Sequence, residues 1–360
     1  MNGDTVHTNS IIREMLRVQK HRGPDDSGIR AFSLKNSTSH EIAVNEEEKI
    51  NREVEAVLGF NRLSILDLSM NGHQPMVSAD EQVLLTLNGE IYNAFDYKKE
   101  LSEWGYTFKS RTDTEIVLAL FLKYGFRGMI DKLNGMFAIV IIDLRDKSLY
   151  IARDRFGIKP MYYISRPDVF AFSSELKSFR YLKDFRFQLN ENQLSEYLIF
   201  RNNLKGTLFE EIQSLEPGHY LTFTHDEGLL KHRYFDINNY SRTNDKYTSL
   251  ESNEKALEKW LEKSVKSQLM SDVKLGCQLS GGIDSSLVTW FANNNSNIGQ
   301  FESVSVVFDD SRFSEENYID LVADQLGIDA HKFELSSSYY LQHIENATWH
   351  FEAPINHPNT

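Results

Sequence analysis

A short turn rich in glycine and serine is the part of the sequence best suited to bind phosphate. Residues 280–286 read Ser-Gly-Gly-Ile-Asp-Ser-Ser, and they stand between an apolar stretch typical of a strand and a segment typical of a helix. Two glycines let the main chain approach a ligand closely, and the unpaired N–H groups at a helix start attract anions. The turn is therefore predicted to cradle a pyrophosphate group. An ordinary strand-to-helix turn with a serine cap is the alternative.

The elements around this turn predict a parallel sheet. From residue 251 onward, apolar residues at helical spacing are followed by strand, helix, strand and helix patterns. That alternation is typical of a doubly wound sheet. We therefore predict an α/β domain over residues 251–360.

The first half of the chain has a different pattern. Short apolar runs cut by turn residues predict strands from about residue 20 to 180, and two helix-like segments, 95–103 and 114–124, interrupt them. This predicts a layered α+β domain over residues 1–185. Residues 186–250 are less regular and contain a polar run, so we expect a connecting segment there.

Composition excludes several classes of protein. A formal charge of -13 over 360 residues argues against a protein that binds nucleic acid through its backbone phosphates. No apolar stretch is long enough to cross a bilayer, so we expect no membrane partner. Cys277 is the chain's one cysteine, which excludes an internal disulfide or a multi-cysteine zinc site and favours the reducing cytoplasm.

Seven sequence blocks precede the phosphate turn. They are His21-Arg22-Gly23-Pro24-Asp25-Asp26-Ser27-Gly28, Asn61-Arg62-Leu63-Ser64-Ile65-Leu66-Asp67, Gly72-His73-Gln74-Pro75-Met76, Asn88-Gly89-Glu90-Ile91-Tyr92-Asn93, Arg111-Thr112-Asp113-Thr114-Glu115, Leu133-Asn134-Gly135-Met136-Phe137-Ala138 and Ala152-Arg153-Asp154-Arg155-Phe156-Gly157-Ile158-Lys159-Pro160. Each alone is compatible with an ordinary turn, cap or loop. In this order they resemble the class II, or N-terminal nucleophile, glutaminase domain of asparagine synthetases. Residues 280–286 resemble the loop of the PP-loop ATP pyrophosphatases, which cleave ATP between its α and β phosphates.

The resemblance implies a fold and a glutamine pocket. The fold would be an α+β glutaminase sandwich of the N-terminal-nucleophile type, followed by an α/β PP-loop domain with a parallel sheet. Arg62 would bind the α-carboxylate of glutamine as a bidentate partner, Asp113 would bind the α-ammonium, and Glu90 would assist on the same side. Asn88 and Gly89 would form the oxyanion hole, and Leu63 and Ile65 would complete the pocket. A surface ion pair is the alternative for Arg62 and Asp113.

The resemblance also implies a nucleotide site. Its residues would be Leu279, Ser280, Gly281, Gly282, Asp284, Ser285 and Val306. Leu279 and Val306 would flank the adenine nucleotide from the ends of two strands, although both are also compatible with buried strand positions. Asp284 would help to hold Mg²⁺, because this ion prefers hard oxygen ligands.

The function implied is ATP-dependent asparagine synthesis by a ligase of the glutamine-hydrolysing type. Ammonia from glutamine would attack an aspartate activated as β-aspartyl-AMP, and AMP and pyrophosphate would be released. Glutamine, aspartate and ATP would be the small-molecule partners, and the resemblance implies a homodimer. Two alternatives stay open: another carboxylate acceptor, such as a surface-polysaccharide sugar or a peptide, and a catalytically inactive remnant that binds glutamine or nucleotide.

Both ends depart from the family pattern. The family's nucleophile is a cysteine at position one of the mature chain, whereas here Asn2 follows Met1, and an amide is not a nucleophile. Cys277 precedes the phosphate turn in the other domain and is predicted to be a buried, inert thiol. We expect a chain truncated at both ends, with natural loss of the nucleophile as the alternative. Residues 351–358 also differ from the family pattern near the acceptor, which leaves the acceptor open.

Overall fold

The computed structural model describes residues 5–44, 54–203, 205–239, 249–296, 301–310, 312 and 314–355. The chain divides into two compact units, unit 1 (Met1–Tyr240) and unit 2 (Ser241–Thr360). Within the described ranges, no helix is both long and apolar enough to span a membrane.

Unit 1 is built mainly from antiparallel strands. Its strands are β1 (Asp26–Ser33), β2 (Thr38–Ile42), β3 (Ala56–Arg62), β4 (Met76–Val77), β5 (Val83–Ile91), β6 (Gly135–Asp143), β7 (Ser148–Arg153), β8 (Tyr162–Ser165), β9 (Phe170–Ser173), β10 (Gln213–Ser214), β11 (His219–Thr224) and β12 (Gly228–Arg233). They form one six-stranded sheet in the order β12-β11-β7-β6-β5-β4, and two three-stranded sheets in the orders β2-β1-β3 and β10-β8-β9.

Helices cover these sheets. The α-helices of unit 1 are α1 (Thr5–Val18), α2 (Lys98–Glu103), α3 (Asp113–Ile130) and α4 (Glu191–Phe200), and short 3₁₀ turns lie at Lys20–Arg22, Met70–Gly72, Ala94–Tyr97, Leu176–Tyr181 and Ile237–Asn239. The predicted helical segments at 95–103 and 114–124 thus correspond to a 3₁₀ turn with α2, and to α3.

The six-stranded sheet is buried on both faces. Successive side chains of a strand point to opposite faces. Leu85, Leu87 and Ile139 accordingly join the core that includes α3, whereas Leu84 and Val140 join a second core with residues of the other sheets. This explains why β5 and β6 have nearly continuous apolar sequences rather than an alternating pattern.

A second helical layer lies beyond β1 and β3. Leu16 of α1 packs with Ile29, Ala31 and Ile42 in a separate core. A Cβ on Gly59 of β3 would lie 2.9 Å from the side chain of Ile12, which shows how closely α1 approaches the sheet. The layers are therefore helix, sheet, sheet and helix, and the predicted α+β sandwich is confirmed.

Residues 186–250 contain more regular structure than a connecting segment. Within them, α4 forms, and β11 and β12 extend the six-stranded sheet, with Leu221 opposite Ile151 of β7. Leu221 is buried in the core between the sheets. Most of the polar run that suggested a linker, residues 240–248, lies outside the described residues.

Unit 2 contains a parallel sheet. Its strands are β13 (Gly276–Gln278), β14 (Glu302–Phe308) and β15 (Asp329–Leu335), in that order across the sheet. Its helices are α5 (Leu250–Ser267), α6 (Ile283–Asn295), α7 (Glu316–Leu326) and α8 (Ser337–Phe351). α6 connects β13 to β14 and α7 connects β14 to β15, which is the crossover that parallel strands require. The predicted parallel-sheet domain is confirmed.

Candidate functional site

The C-terminal end of β5 brings the Asn88-Gly89-Glu90 block into unit 1's candidate pocket. Gly89 lies opposite Phe137 of β6, and its φ is +149°. A Cβ there would lie 1.9 Å from the carbonyl oxygen of Met136, so only glycine fits. The Asn88 amide donates to Ser174 Oγ over 3.4 Å. At the end of β5, the side-chain amide of Asn88 is therefore held in place next to Gly89, whose main chain is not covered by a side chain of its own.

A buried carboxylate lies beside this strand end. Asp113 is the first residue of α3, a helix capped by Thr112, whose Oγ1 accepts the N–H of Glu115 at 3.2 Å. Asp113 Oδ2 accepts the N–H of Ile91 at 2.8 Å. Burial raises the pKa of Asp113 to about 6. Burial also raises the pKa of Glu90, and the charge of Asp113 adds to that shift. Two carboxylates therefore share a poorly solvated pocket, which suits a cation.

Lys159 also lies near these carboxylates and was not predicted as a site residue. Burial lowers the pKa of Lys159, and the charge of Glu90 opposes that shift. The fully buried Asp154 shapes its loop by accepting the N–H groups of Ile158 at 3.0 Å and Lys159 at 2.9 Å. The block Ala152–Pro160 contained a sequence signal for this lysine, because its Arg-Asp pair precedes a Gly-Ile-Lys turn.

Arg62 is buried and binds main-chain carbonyl groups. Its Nη1 donates to Ser69 O at 3.0 Å, and its Nη2 donates to Leu66 O at 3.0 Å and Asp67 O at 2.6 Å. Gly72 leaves room for the guanidinium, since a Cβ there would lie 1.9 Å from Nη2. Arg62 therefore organises the loop that follows it.

The predicted glutamine-binding residues differ in exposure. Arg62 and Asp113 are 6 % and 5 % exposed, which argues against a surface ion pair, and the described residues show no ion pair between them. Leu63 is 55 % exposed, and Ile65 is half-buried. The loop after Arg62 thus presents an apolar side chain to solvent.

A buried ion cluster centred on Glu175 was not predicted. Glu175 accepts from Lys177 Nζ at 2.8 Å, its other oxygen lies 3.0 Å from His21 Nε2, and Arg22 Nη1 is 3.5 Å away. Glu175 and Lys177 are both almost fully buried. Ser174, which precedes Glu175, contacts the Asn88 amide. The cluster therefore connects His21 and Arg22 of the first sequence block to the end of β5.

In unit 2, the phosphate turn has the expected strand-to-helix geometry. Gly281 has a φ of +78°, and a Cβ there would lie 2.8 Å from Cβ of Tyr318. Gly282 is the N-cap of α6. The hydroxyls of Ser285 and Ser286 donate to Gly282 O at 3.0 and 2.8 Å, and Ser280 Oγ lies 3.0 Å from Ser285 Oγ. The loop is compact, and the first turn of the helix provides main-chain N–H donors suited to an anion.

The remaining predicted nucleotide residues lie on both faces of the sheet. Leu279 is 1 % exposed and packs with Val307 and Ile319. Val306 is 43 % exposed and points away from that core. Asp284 lies in the first turn of α6. Within the described residues, no three His, Cys, Asp or Glu side chains form a metal-binding group. Mg²⁺ commonly has one or two carboxylates and completes its shell with phosphate oxygens and water, so Asp284 fits that role.

Two protein families match this chain. The glutamine amidotransferase domain family matches residues 1–235, and the asparagine synthase family matches residues 256–359. Glutamine-hydrolyzing asparagine synthetase 1 of Bacillus subtilis is 32 % identical over 98 % of this chain and 51 % of its own length. Amidase chry2 of Gibberella zeae is 30 % identical over 99 % of this chain and 51 % of its own length.

The chain therefore spans about half the length of these curated relatives. The solved allosteric regulatory enzyme of purine biosynthesis is similar with a TM-score of 0.48 and 16 % identity, over 91 % of this chain and 78 % of that chain. The asparagine synthase family implies use of ATP. The chain belongs to the asparagine synthase family of amidotransferases, with a glutamine amidotransferase domain followed by an asparagine synthase domain.

Proposed function

We propose that unit 1 binds free glutamine at the end of β5. The observation that carries this proposal is the pair of poorly solvated carboxylates, Glu90 and Asp113, beside Asn88 and Gly89. An α-ammonium group would offset one of these two negative charges, and the Asn88 amide with the Gly89 N–H would face the side-chain amide of glutamine. Lys159 would balance the remaining negative charge.

To bind the α-carboxylate of glutamine as a bidentate partner, the guanidinium of Arg62 would have to change its hydrogen bonds. Both bidentate arrangements of an arginine use Nη2, and here Nη2 contacts two main-chain carbonyls, of Leu66 and Asp67. Within the described residues, one Nη1 proton and Nε–H remain for a ligand. An α-carboxylate would therefore bind through a single donor, or would displace one of these loop carbonyls.

We propose further that unit 2 binds ATP at the turn 280–286 with Mg²⁺ held partly by Asp284. The complete reaction would activate a carboxylate as its acyl-adenylate, releasing pyrophosphate, and ammonia would displace AMP to form an amide. Activation is needed because a carboxylate is a poor electrophile at neutral pH. Aspartate is the proposed acceptor, and asparagine the proposed product.

The sequence offers unit 1 no thiol for glutamine hydrolysis. Cys277 lies on β13 of unit 2, where burial raises the pKa of its thiol. Glutamine is nevertheless the proposed nitrogen donor of the complete reaction, as the family resemblance implies. Asn2 lies outside the described residues.

Titration calorimetry with L-glutamine tests the first proposal. We expect saturable binding to the whole chain, and at least tenfold weaker binding by Asp113→Asn. Asp80→Asn is the matched control, because Asp80 accepts a serine hydroxyl and a main-chain N–H at the other end of β5. Equal affinity of all three proteins, or no binding by the wild type, would exclude the pocket.

A second acceptor class is favoured by one observation. Relatives of similar identity include a protein named amidase chry2 as well as asparagine synthetases. The divergent segment 351–358 supports this alternative, although residues 356–358 lie outside the described residues. Pyrophosphate release with ATP and ammonia, compared among aspartate, a sugar carboxylate and a peptide carboxylate, distinguishes the two. Nucleotide binding without pyrophosphate release with any acceptor would support the binding-only alternative.

Two further properties are proposals. The single cysteine supports the cytoplasm as the location of the protein. A homodimer is proposed from the family resemblance, and sedimentation equilibrium at several concentrations would test it.

A further inference from the structure

Asp67 lies between the two loops that carry Arg62 and Asp113, the residues proposed to bind glutamine. Its main-chain carbonyl accepts from Arg62 Nη2 at 2.6 Å. Its carboxylate oxygen Oδ2 accepts the N–H of Arg111 at 2.8 Å. Arg111 is two residues before Asp113, the first residue of α3. One residue thus contacts the guanidinium on one side and the chain that leads to the buried carboxylate on the other.

The side chain of Asp67 is fixed by its own loop. Oδ1 accepts the N–H of Ser69 at 3.1 Å and its hydroxyl at 2.6 Å. Asp67 is 4 % exposed, and its φ of +51° is a left-handed conformation that aspartate tolerates better than most residues. The hydrogen bond from Ser69 is the largest cause that lowers the pKa of Asp67, so the carboxylate is charged at neutral pH. Bonds from N–H groups to a charged acceptor are stronger than those to a neutral one.

The loop before α3 is also held rigidly on its other side. The buried Glu115 accepts the N–H groups of Lys109 at 2.9 Å and of Ser110 at 2.6 Å. Residues 109–112 are therefore fixed to α3. A displacement of the loop 63–70 relative to Arg111 would consequently be a displacement relative to Asp113.

We propose that Asp67 is a positioning residue that sets the separation between Arg62 and Asp113, and thereby makes unit 1 selective for ligands that carry an α-carboxylate and an α-ammonium on the same carbon. This inference rests on the proposed glutamine pocket. It adds a residue that touches no ligand and acts through Arg111 and Arg62.

Ligand analogues test the inference. The affinity of the whole chain for L-glutamine is compared with its affinities for 4-carbamoylbutanoate, which lacks the α-ammonium, and for 4-aminobutanamide, which lacks the α-carboxylate. We expect wild-type protein to bind L-glutamine at least tenfold more tightly than either analogue. Asp67→Asn should reduce both ratios at least fivefold, because an amide has one acceptor oxygen and cannot accept from both Ser69 and Arg111 as the carboxylate does. A general loss of folded protein would weaken all three ligands equally and leave the ratios unchanged.

Two variants keep the test decisive. Asp67→Gly removes the carboxylate but keeps the carbonyl for Arg62 and relieves the left-handed backbone, so it should fold and show the same reduced ratios. Asp80→Asn, which alters a carboxylate with similar hydrogen bonds at the far end of β5, should keep wild-type ratios. Wild-type ratios in both Asp67 variants would overturn the inference alone. Failure of the wild type to bind L-glutamine would overturn the pocket and the inference with it.

Discussion

Asp113 Oδ2 accepts the main-chain N–H of Ile91 at 2.8 Å, which joins the first residue of α3 to the last residue of β5. The bond holds a carboxylate against the strand end that carries Gly89 and Glu90. Burial is the main cause that raises the pKa of Asp113, and the hydrogen bond from Ile91 opposes it. The buried carboxylate is therefore positioned to bind a cation, and its burial lowers the stability of the ligand-free protein.

The affinity for glutamine should depend on pH through Asp113. With a pKa of about 6 in the free protein, Asp113 is ionised above pH 7 and protonated below pH 5. An ammonium ligand prefers the ionised form, so affinity should fall by up to about tenfold per pH unit below 6. Calorimetry from pH 5 to 8 measures this, and a flat profile would contradict the role of Asp113.

Stability should show the opposite dependence on pH. The folded protein retains the proton of Asp113 at pH values where the unfolded chain, with an ordinary pKa near 4, has lost it. The free energy of unfolding contributed by this group therefore falls as pH rises from about 4 to 6. Asp113→Asn should flatten that part of the profile in urea denaturation of the ligand-free protein. An unchanged slope in the variant would show that other groups cause it.

Gly89→Ala should destabilise unit 1 through a steric clash. The new Cβ would lie 1.9 Å from Met136 O, and the adjacent strands β5 and β6 both lie inside the sheet rather than at its edges. We expect a loss of about 2 kcal/mol or more in the free energy of unfolding, by analogy with overpacked cores. Gly105→Ala is the control, since Gly105 has a φ of +104° but open space around it. The control should cost only the backbone strain, about 1 kcal/mol, and equal losses would exclude the clash.

Lys177→Met should be strongly destabilising, because the buried negative charge of Glu175 would lose its buried cationic partner. Both members of the pair have side chains that are only 4 % exposed, and removal of one partner of a buried pair costs about 3–5 kcal/mol. His21 and Arg22 remain near Glu175, so we expect the lower end of that range. Chemical denaturation measures it. Lys99→Met, which removes an exposed pair with Glu103, should change stability by less than about 0.5 kcal/mol.

Much of the architecture could be predicted because local patterns and tertiary structure agree. The strand–glycine–helix pattern at 276–295 and the next strand and helix formed as expected. Residues 186–250 were harder, because β11 is a short strand whose partner β7 is more than 60 residues away in sequence, and β12 joins the sheet only through β11. Such pairing is set by the core between the sheets, which Leu221 joins, and leaves little local signal.

The contacts inside the candidate site could not be predicted from the sequence. The family resemblance proposed Arg62 and Asp113 as glutamine ligands, but the hydrogen bonds from the Arg62 guanidinium to loop carbonyls depend on the backbone path of residues 66–69. Glu175 was missed because its partners are more than 150 residues away or two residues away, and neither spacing is a recognised motif. Charged residues in such clusters become visible only when burial is known.

Gly281→Ala should show whether the affinity for nucleotide depends on the shape of the turn 280–286 or only on backbone strain. Gly281 has a φ of +78°, and its Cβ would press against Tyr318, so the turn 280–286 must widen. We expect ATP binding, measured by calorimetry with Mg²⁺ present, to weaken at least tenfold. Gly327→Ala is matched to it, because Gly327 has a φ of +63° and no atom within 4 Å of the added Cβ. Both variants carry similar left-handed backbone strain, about 1 kcal/mol, and the contact with Tyr318 adds to the loss of stability only in Gly281→Ala. If Gly327→Ala weakens ATP binding as much as Gly281→Ala does, strain rather than the shape of the phosphate turn controls affinity.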